Sequence, residues 1–167
     1  MTTAIAIDHV GLEAQEILAN LFEHYLHDMA EWFKFEIGAD GRYAYDTSPH
    51  WARRESVYLA RVSGALAGFA LVGSAEQWTN NPNGHDVREF FVVRRHRRFG
   101  VGEVLARHIW SAHPGEWLVR VLEANLPAVP FWRRVTDSYT EGHYTERIVV
   151  PADGKRRVFF SFSNTGS

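Results

Sequence analysis

Along the chain the spacing of hydrophobic positions changes from period two to period three or four and back, and each change marks an element. Residues 3 to 10 read as a short first strand or an extended lead-in. Next, Leu18, Leu21, Phe22, Tyr25, Leu26, Met29, Trp32 and Phe33 recur at three- and four-residue steps, which predicts a helix from about Leu12 to Phe33 with one apolar stripe against a sheet. Gly38 to Arg54 is loop with room for a short helix. Ser56 to Val62 alternates as a strand does, Ser63-Gly64 supplies a turn, and Leu66 to Val72 completes a hairpin. Gly73 to Asp86, with its run Asn80-Asn81-Pro82-Asn83-Gly84, reads as an exposed loop.

A strand over 87 to 93 follows, with Val and Phe filling 90 to 93 as in a central strand covered on both faces. After a glycine turn comes a helix beginning near Glu103, whose face is Val101, Leu105, Ile109 and Ala112 and which stops at Pro114-Gly115. Trp117 to Leu122 is another apolar strand, and the strand, helix, strand order predicts a parallel pair joined by a right-handed crossover. Asn125 is a candidate helix cap, with Pro127 and Pro130 in the first turn. Tyr139 to Val150 and Arg156 to Phe162 read as two closing strands around the turn 151 to 154, and Ser163 to Ser167 as a fraying end.

Composition narrows the class. A chain of 167 residues fits one domain, 1–167, with about two thirds of its unfolded surface buried. The absence of cysteine removes disulfides, thiolate nucleophiles and Cys-based zinc sites together. No stretch approaches the roughly 20 apolar residues of a membrane span, and the first residues lack a signal-peptide pattern, so the reading is cytoplasmic with no membrane partner. A net charge of -2 argues against a general nucleic-acid binder. His24 and His27 lie one turn apart but without a metalloenzyme carboxylate spacing, so no metal is expected.

The basic residues gather where the chemistry is expected. Arg94, Arg95, Arg97 and Arg98 precede Gly100 and Gly102 at the start of a helix, where backbone N–H groups and the helix dipole favour phosphate. The plainer alternative is a solvated basic loop or a small nucleic-acid patch. Gly-Lys-Ser/Thr, Gly-x-Gly-x-x-Gly and Gly-x-Ser-x-Gly are all missing, which excludes a full P-loop and counts against a dinucleotide fingerprint and an α/β-hydrolase elbow. The carboxylates Glu89 and Asp86 fall on opposite faces of the central strand. Glu89 sits within the apolar run, where desolvation favours a base, and its alternative is a structural pair with an arginine. Tyr43, Tyr45, His50 and Trp51 either line a site or cover the core, and Glu36 and Asp46 are carboxylates able to attract a cation.

The spacing Arg97-x-x-Gly100-x-Gly102, between strand and helix, resembles the acyl-CoA pyrophosphate signature of the GNAT N-acetyltransferase superfamily. Asn125-x-x-Ala128-x-x-Phe131-Trp132 resembles that family's second motif, and the element order is similar over nearly the whole chain. The resemblance implies an α/β (α+β) fold: a mixed, mostly antiparallel sheet with a central parallel, splayed pair and flanking helices. It implies acetyl-CoA as co-substrate, bound by the N–H groups of Arg98, Phe99, Gly100, Val101 and Gly102. Arg97 would be the signature's polar residue, Val92, Val93 and Arg94 would pair by backbone with the pantetheine arm, and Asn125 and Trp132 would face the cofactor. The implied reaction is direct acetyl transfer to an amine of a small molecule or peptide. Glu89 is then the preferred base over Asp86. Trp132 stands where many relatives carry an acidic tyrosine, leaving Tyr139 or Tyr144 as substitutes, or no general acid at all. A non-catalytic acyl-CoA-binding or sensing domain is the alternative, and a homodimer stays open.

Overall fold

The computed structural model describes residues 3–165. Its strands are β1 (Ile5–Val10), β2 (Ser56–Val62), β3 (Ala65–Ser74), β4 (His85–Val92), β5 (Glu116–Leu122), β6 (Thr145–Val149) and β7 (Arg157–Ser163). They form a mixed seven-stranded sheet in the order β1-β2-β3-β4-β5-β7-β6, with β4 and β5 parallel. The helices are α1 (Gln15–Met29), α2 (Ser48–Ala52), α3 (Glu76–Thr79), α4 (Val101–Ala112) and α5 (Ala128–Thr140). This is the expected α/β class. Contacts divide the chain into two compact units, residues up to 71 with 89–102, and residues 72–88 with those from 103 onward.

In the first unit, β1 runs antiparallel to β2 from Ile5↔Val62 to Val10↔Val57. Ser63 (φ 48) and Gly64 (φ 85) are both left-handed, the pair of conformations that matches a two-residue hairpin turn to twisted strands. The α1 stripe of Leu18, Leu21, Phe22 and Leu26 packs with Val57, Leu59, Phe69, Leu71 and Phe91. Each such side chain contributes about 1.5–3 kcal/mol when fully buried. At Gly68 an added Cβ would stand 2.2 Å from the Phe91 carbonyl oxygen, so only glycine lets β3 lie this close to β4. The helix is shorter than its apolar spacing predicts. A 3-10 turn over Leu12–Ala14 precedes it, and past Met29 the N–H groups of Trp32 and Phe33 both fold onto the Met29 carbonyl.

In the second unit, β5 pairs with β7 from Glu116↔Ser163 to Leu122↔Arg157, and β7 with the edge strand β6. Fully buried Trp110 packs against Tyr139, Phe162 and Trp132 at 5.0, 5.1 and 6.1 Å between ring centroids.

Several expectations need correcting. The stretch from Gly73 to Asp86 is not all loop, for it contains α3, and β4 begins at His85 with Asp86 fully buried. Tyr139 lies in α5 rather than a strand, because Phe131, Trp132, Val135 and Tyr139 continue a helical stripe. The helix stops two residues later, where Glu141 (φ 53) and Gly142 (φ 81) turn left-handed and both N–H groups reach the Asp137 carbonyl. Asn125 does not cap α5 with its side chain. Pro127 occupies the N-cap, and the Asn125 backbone carbonyl accepts from the N–H groups of Ala128 and Val129. The chain end is held further than expected: Ser163 belongs to β7, and Asn164 donates to the Trp110 carbonyl and accepts from the Gly115 N–H. Residues 166 and 167 of the expected fraying end lie outside the described residues.

Candidate active site

β4 delivers the chain into a 3-10 turn over Arg94–His96, then into a glycine turn that opens α4. Arg98 (φ 67) and Gly100 (φ 84) both adopt left-handed backbone, and a Cβ at Gly100 would meet nothing within 4 Å. Glycine is therefore needed there for conformation, and the space above it is open. The N–H groups of Arg98, Phe99 and Gly100 find no acceptor among the described residues, and those of Val101 and Gly102 belong to the first helical turn, whose donors have no intrahelical partner. Donors without a protein acceptor at a helix start suit an anion.

The arginines divide into two pairs. Arg94 bonds Asp28 Oδ1 through Nη2 at 2.8 Å, Arg97 bonds Asp28 Oδ2, and Arg97 Nε also donates to the Val92 carbonyl at 2.8 Å. Arg97 is thus held within the protein, fixing the turn to α1. Arg95 and Arg98 form no ion pair among the described residues and are the cations left for a phosphate. Partial burial pushes the Asp28 carboxyl up, but bonds from Arg97 and Arg94 outweigh it and hold it below the usual aspartate range. A depressed folded value contributes stability that is complete above the unfolded pKa, about 3.9, and is lost as pH falls through the folded one. Asp28→Asn is therefore expected to lower the urea midpoint at neutral pH and to flatten its decline below about pH 4, as urea titrations of both proteins at stepped pH would show.

The backbone expected to meet the pantetheine arm is partly engaged. Val93 donates its N–H to the Ala67 carbonyl at 2.8 Å, and its carbonyl accepts from the His96 N–H at 2.8 Å while keeping a second lone pair. The Val92 carbonyl carries the Arg97 bond but keeps a second lone pair.

The two carboxylates of β4 have different surroundings. Both Asp86 oxygens are engaged by Arg120, Oδ1 with Nε at 3.0 Å and Oδ2 with Nη2 at 2.7 Å, with Arg88 Nε 3.9 Å away. Arg120 in turn lies over the Trp78 ring at 4.7 Å. This is a structural ion pair, and it leaves Asp86 poorly suited to take a substrate proton. Glu89 is half-buried on the α1 side, where the Tyr25 hydroxyl donates to Oε2 at 2.5 Å. Phe22 organises the neighbouring rings: it stacks on Tyr45 at 4.9 Å, lies 5.6 Å from His50, and meets Tyr25 edge-on at 5.6 Å. Of the loop aromatics, Tyr43 and Trp51 pack on the core and His50 is buried, while Tyr45 remains 40% exposed. Asp46 and Glu36 are exposed, and Asp46 accepts the Ser48 N–H.

Sequence reasoning missed Asp28, Tyr25 and Glu55. Asp28 and Tyr25 carried a signal, since both lie on α1 one turn apart, beside Met29 and Leu26 of the apolar stripe. Glu55 had none beyond its place before a strand.

In the second unit, Asn125 is half-buried in the turn after β5, and Trp132 is buried among rings. The Tyr139 hydroxyl lies 3.2 Å from Ser111 Oγ and 3.4 Å from Asn164 Nδ2. Tyr144 is half-buried against Phe160, and burial pushes its phenol up. A cleft of about 300 Å³ near Thr79, Glu116 and Ser161 contains none of the expected site residues, and the Glu116 carboxylate there accepts the Asn81 amide. No group of three or more potential metal ligands occurs among the described residues, and no helix among them is long and apolar enough to cross a membrane.

Comparison with known proteins agrees with this geometry. The sequence model described as the acetyltransferase (GNAT) family matches residues 23–136. No curated protein sequence matches the chain. The fold is similar to that of yncA of Salmonella typhimurium, a protein assigned as an acetyltransferase and solved with acetyl-CoA (14% identity, 98% of this chain and 96% of that chain covered, TM-score 0.70). It is also similar to the ribosomal-protein-S18-alanine N-acetyltransferase of Escherichia coli (11% identity, 98% and 96% covered, TM-score 0.65). Ard1 of Thermoplasma volcanium is a third such structure (16% identity, 96% and 97% covered, TM-score 0.66).

Proposed function

The chain belongs to the acetyltransferase (GNAT) family, and on that premise we propose that it transfers the acetyl group of acetyl-CoA directly to an amine of a small molecule or peptide. The observation that carries the reading is the turn at 98 to 102, where N–H groups without a protein acceptor, open space over Gly100 and Arg95 and Arg98, which form no ion pair among the described residues, come together at the start of α4. These features suit the two charges of a pyrophosphate. Val92, Val93 and Arg94 would pair by backbone with the pantetheine arm, and Asn125 and Trp132 are the further candidates to face the cofactor.

At the acceptor end Glu89 is the base. An amine reaches the protein mostly as an ammonium ion, whose lone pair is unavailable until a proton leaves. The Glu89 carboxylate attracts that cation and takes the proton directly or through a water, while the Tyr25 hydroxyl fixes its Oε2. The freed amine attacks the thioester carbonyl carbon, and the sulfur leaves with the C–S bonding pair. Tyr139 is a candidate donor to the departing thiolate, although its hydroxyl is shared with Ser111 and Asn164. The reading is of a single domain, 1–167, in the cytoplasm.

Thiol release from acetyl-CoA across an amine panel, alongside calorimetry with CoA, tests the proposal. Turnover of at least one amine is expected, and Arg98→Ala should weaken CoA binding by roughly tenfold or more, the worth of one charge-assisted hydrogen bond. Tight CoA binding with no turnover of any amine would instead support a binding or sensing domain.

A further inference from the structure

Behind the exposed ring of Tyr45 lies a buried pair that the reaction above leaves unassigned. His50 and Glu55 are 3% and 8% exposed, and His50 Nδ1 lies 2.5 Å from Glu55 Oε2. Glu55 Oε1 accepts from Arg53 Nε at 2.9 Å, and Arg53 Nη2 stands farther from His50 Nδ1, at 3.2 Å. A ring proton on Nδ1 donates to Glu55 across the shorter contact, and in that tautomer the lone pair lies on Nε2. Nε2 lies 3.2 Å from the Tyr45 hydroxyl. Tyr45 thus donates inward to His50 and keeps its oxygen lone pairs for a donor arriving from outside.

Phe22 joins this set to the base, with Tyr45 stacked on it and Tyr25, which holds Glu89, at its edge. Burial keeps the Tyr45 phenol protonated, aided by the charge of Glu89 and of Glu55 and Asp46, with Arg53 opposing. A hydroxyl that stays protonated can pass a proton along without holding a charge.

An ammonium acceptor loses two protons on becoming an amide, one before its lone pair attacks and one from nitrogen once the C–N bond has formed. We propose that Glu89 takes the first and that Tyr45 passes the second to His50, so that Tyr45 is a catalytic residue for ammonium acceptors, with His50 and Glu55 the positioning pair behind it. The proposal rests on the acetyl-transfer reading. In this step the N–H bond breaks toward the Tyr45 oxygen as the Tyr45 proton moves to His50 Nε2. The imidazolium formed is neutralised by the Glu55 carboxylate. The C–S bonding pair leaves on the CoA sulfur, Glu89 then gives up its proton to water, and His50 returns its own through Tyr45 to water.

The test compares the full chain with Tyr45→Phe over the amine panel, following thiol release from about pH 5.5 to about pH 9, the range in which histidine titrates. NMR of the His50 ring nitrogens accompanies it. The variant removes one oxygen from a 40% exposed side chain and keeps the ring that stacks on Phe22, so the fold is preserved. Expected are a fall of about 10²-fold in kcat/KM for the amine, an unchanged KM for acetyl-CoA, and a pH profile that differs from wild type. The resting His50 ring should carry its proton on Nδ1 alone at neutral pH. Wild-type kcat/KM and pH profile in Tyr45→Phe, or a proton on His50 Nε2 at rest, would overturn the relay while the acetyl-transfer reading stands. A wild-type chain that turns over no amine would sink that reading and the relay with it.

Discussion

Glu89→Gln is expected to lower kcat/KM for amine acetylation by roughly 10²- to 10⁴-fold, the usual range for loss of a positioned proton acceptor. Glutamine keeps the size of the side chain and an oxygen able to accept the Tyr25 hydroxyl, so the packing of Tyr25 against Phe22 and Phe69 should persist. On the proposed mechanism, what disappears is a negative charge for the ammonium and a site for its proton. The glycine turn contributes nothing to that step, and the affinity for acetyl-CoA should stay within about twofold, a change of less than 0.5 kcal/mol. Steady-state kinetics with each substrate varied in turn separates the two effects. A Gln variant as active as wild type would remove Glu89 from the mechanism, and Asp86, already bonded through both oxygens, could not replace it.

Asp86→Ala is expected to cost about 3–5 kcal/mol of stability, the range for removing one partner of a buried ion pair. Asp86 has no solvent exposure and the Arg120 side chain is only 15% exposed, so the Arg120 guanidinium would be left desolvated without the carboxylate that engages it through both oxygens. The loss should appear as a lower urea midpoint with little change in slope. A loss under about 1 kcal/mol would mean that water reaches the pair and screens it as at a surface. Three residues apart on one strand, Asp86 and Glu89 should thus give opposite lesions, the first of stability and the second of rate.

Period and punctuation made much of this fold legible in the sequence. The hairpin at Ser63-Gly64, the central strand and the helix after the glycine turn were all visible, because each rests on local spacing and turn chemistry. Boundaries were less so. The α1 stripe continues through Trp32 and Phe33, yet the backbone closes at Met29, and the Glu141-Gly142 stop that places Tyr139 in a helix was overshadowed by strand-forming residues beyond it. The site was legible where it depends on backbone shape, as at Gly100, and illegible where it depends on distant partners. That Arg94 and Arg97 turn back to Asp28, or that Glu55 meets His50, follows only from how helix and loop settle together, and no spacing encodes it. The same holds for Val93, whose N–H bond to Ala67 no spacing encodes.

The close approach at Gly68 reaches further than packing. Side chains alternate along a strand, so a slip of one residue in β4 would carry Glu89 away from Tyr25 to the opposite face. With the Phe91 carbonyl seated where a Cβ would otherwise stand, and the Val93 N–H bonded to Ala67, β3 accepts β4 in a single alignment. Position 68 therefore acts as a reading-frame marker for the sheet: a residue with no side chain of its own determines which face of β4 carries Glu89 toward Tyr25.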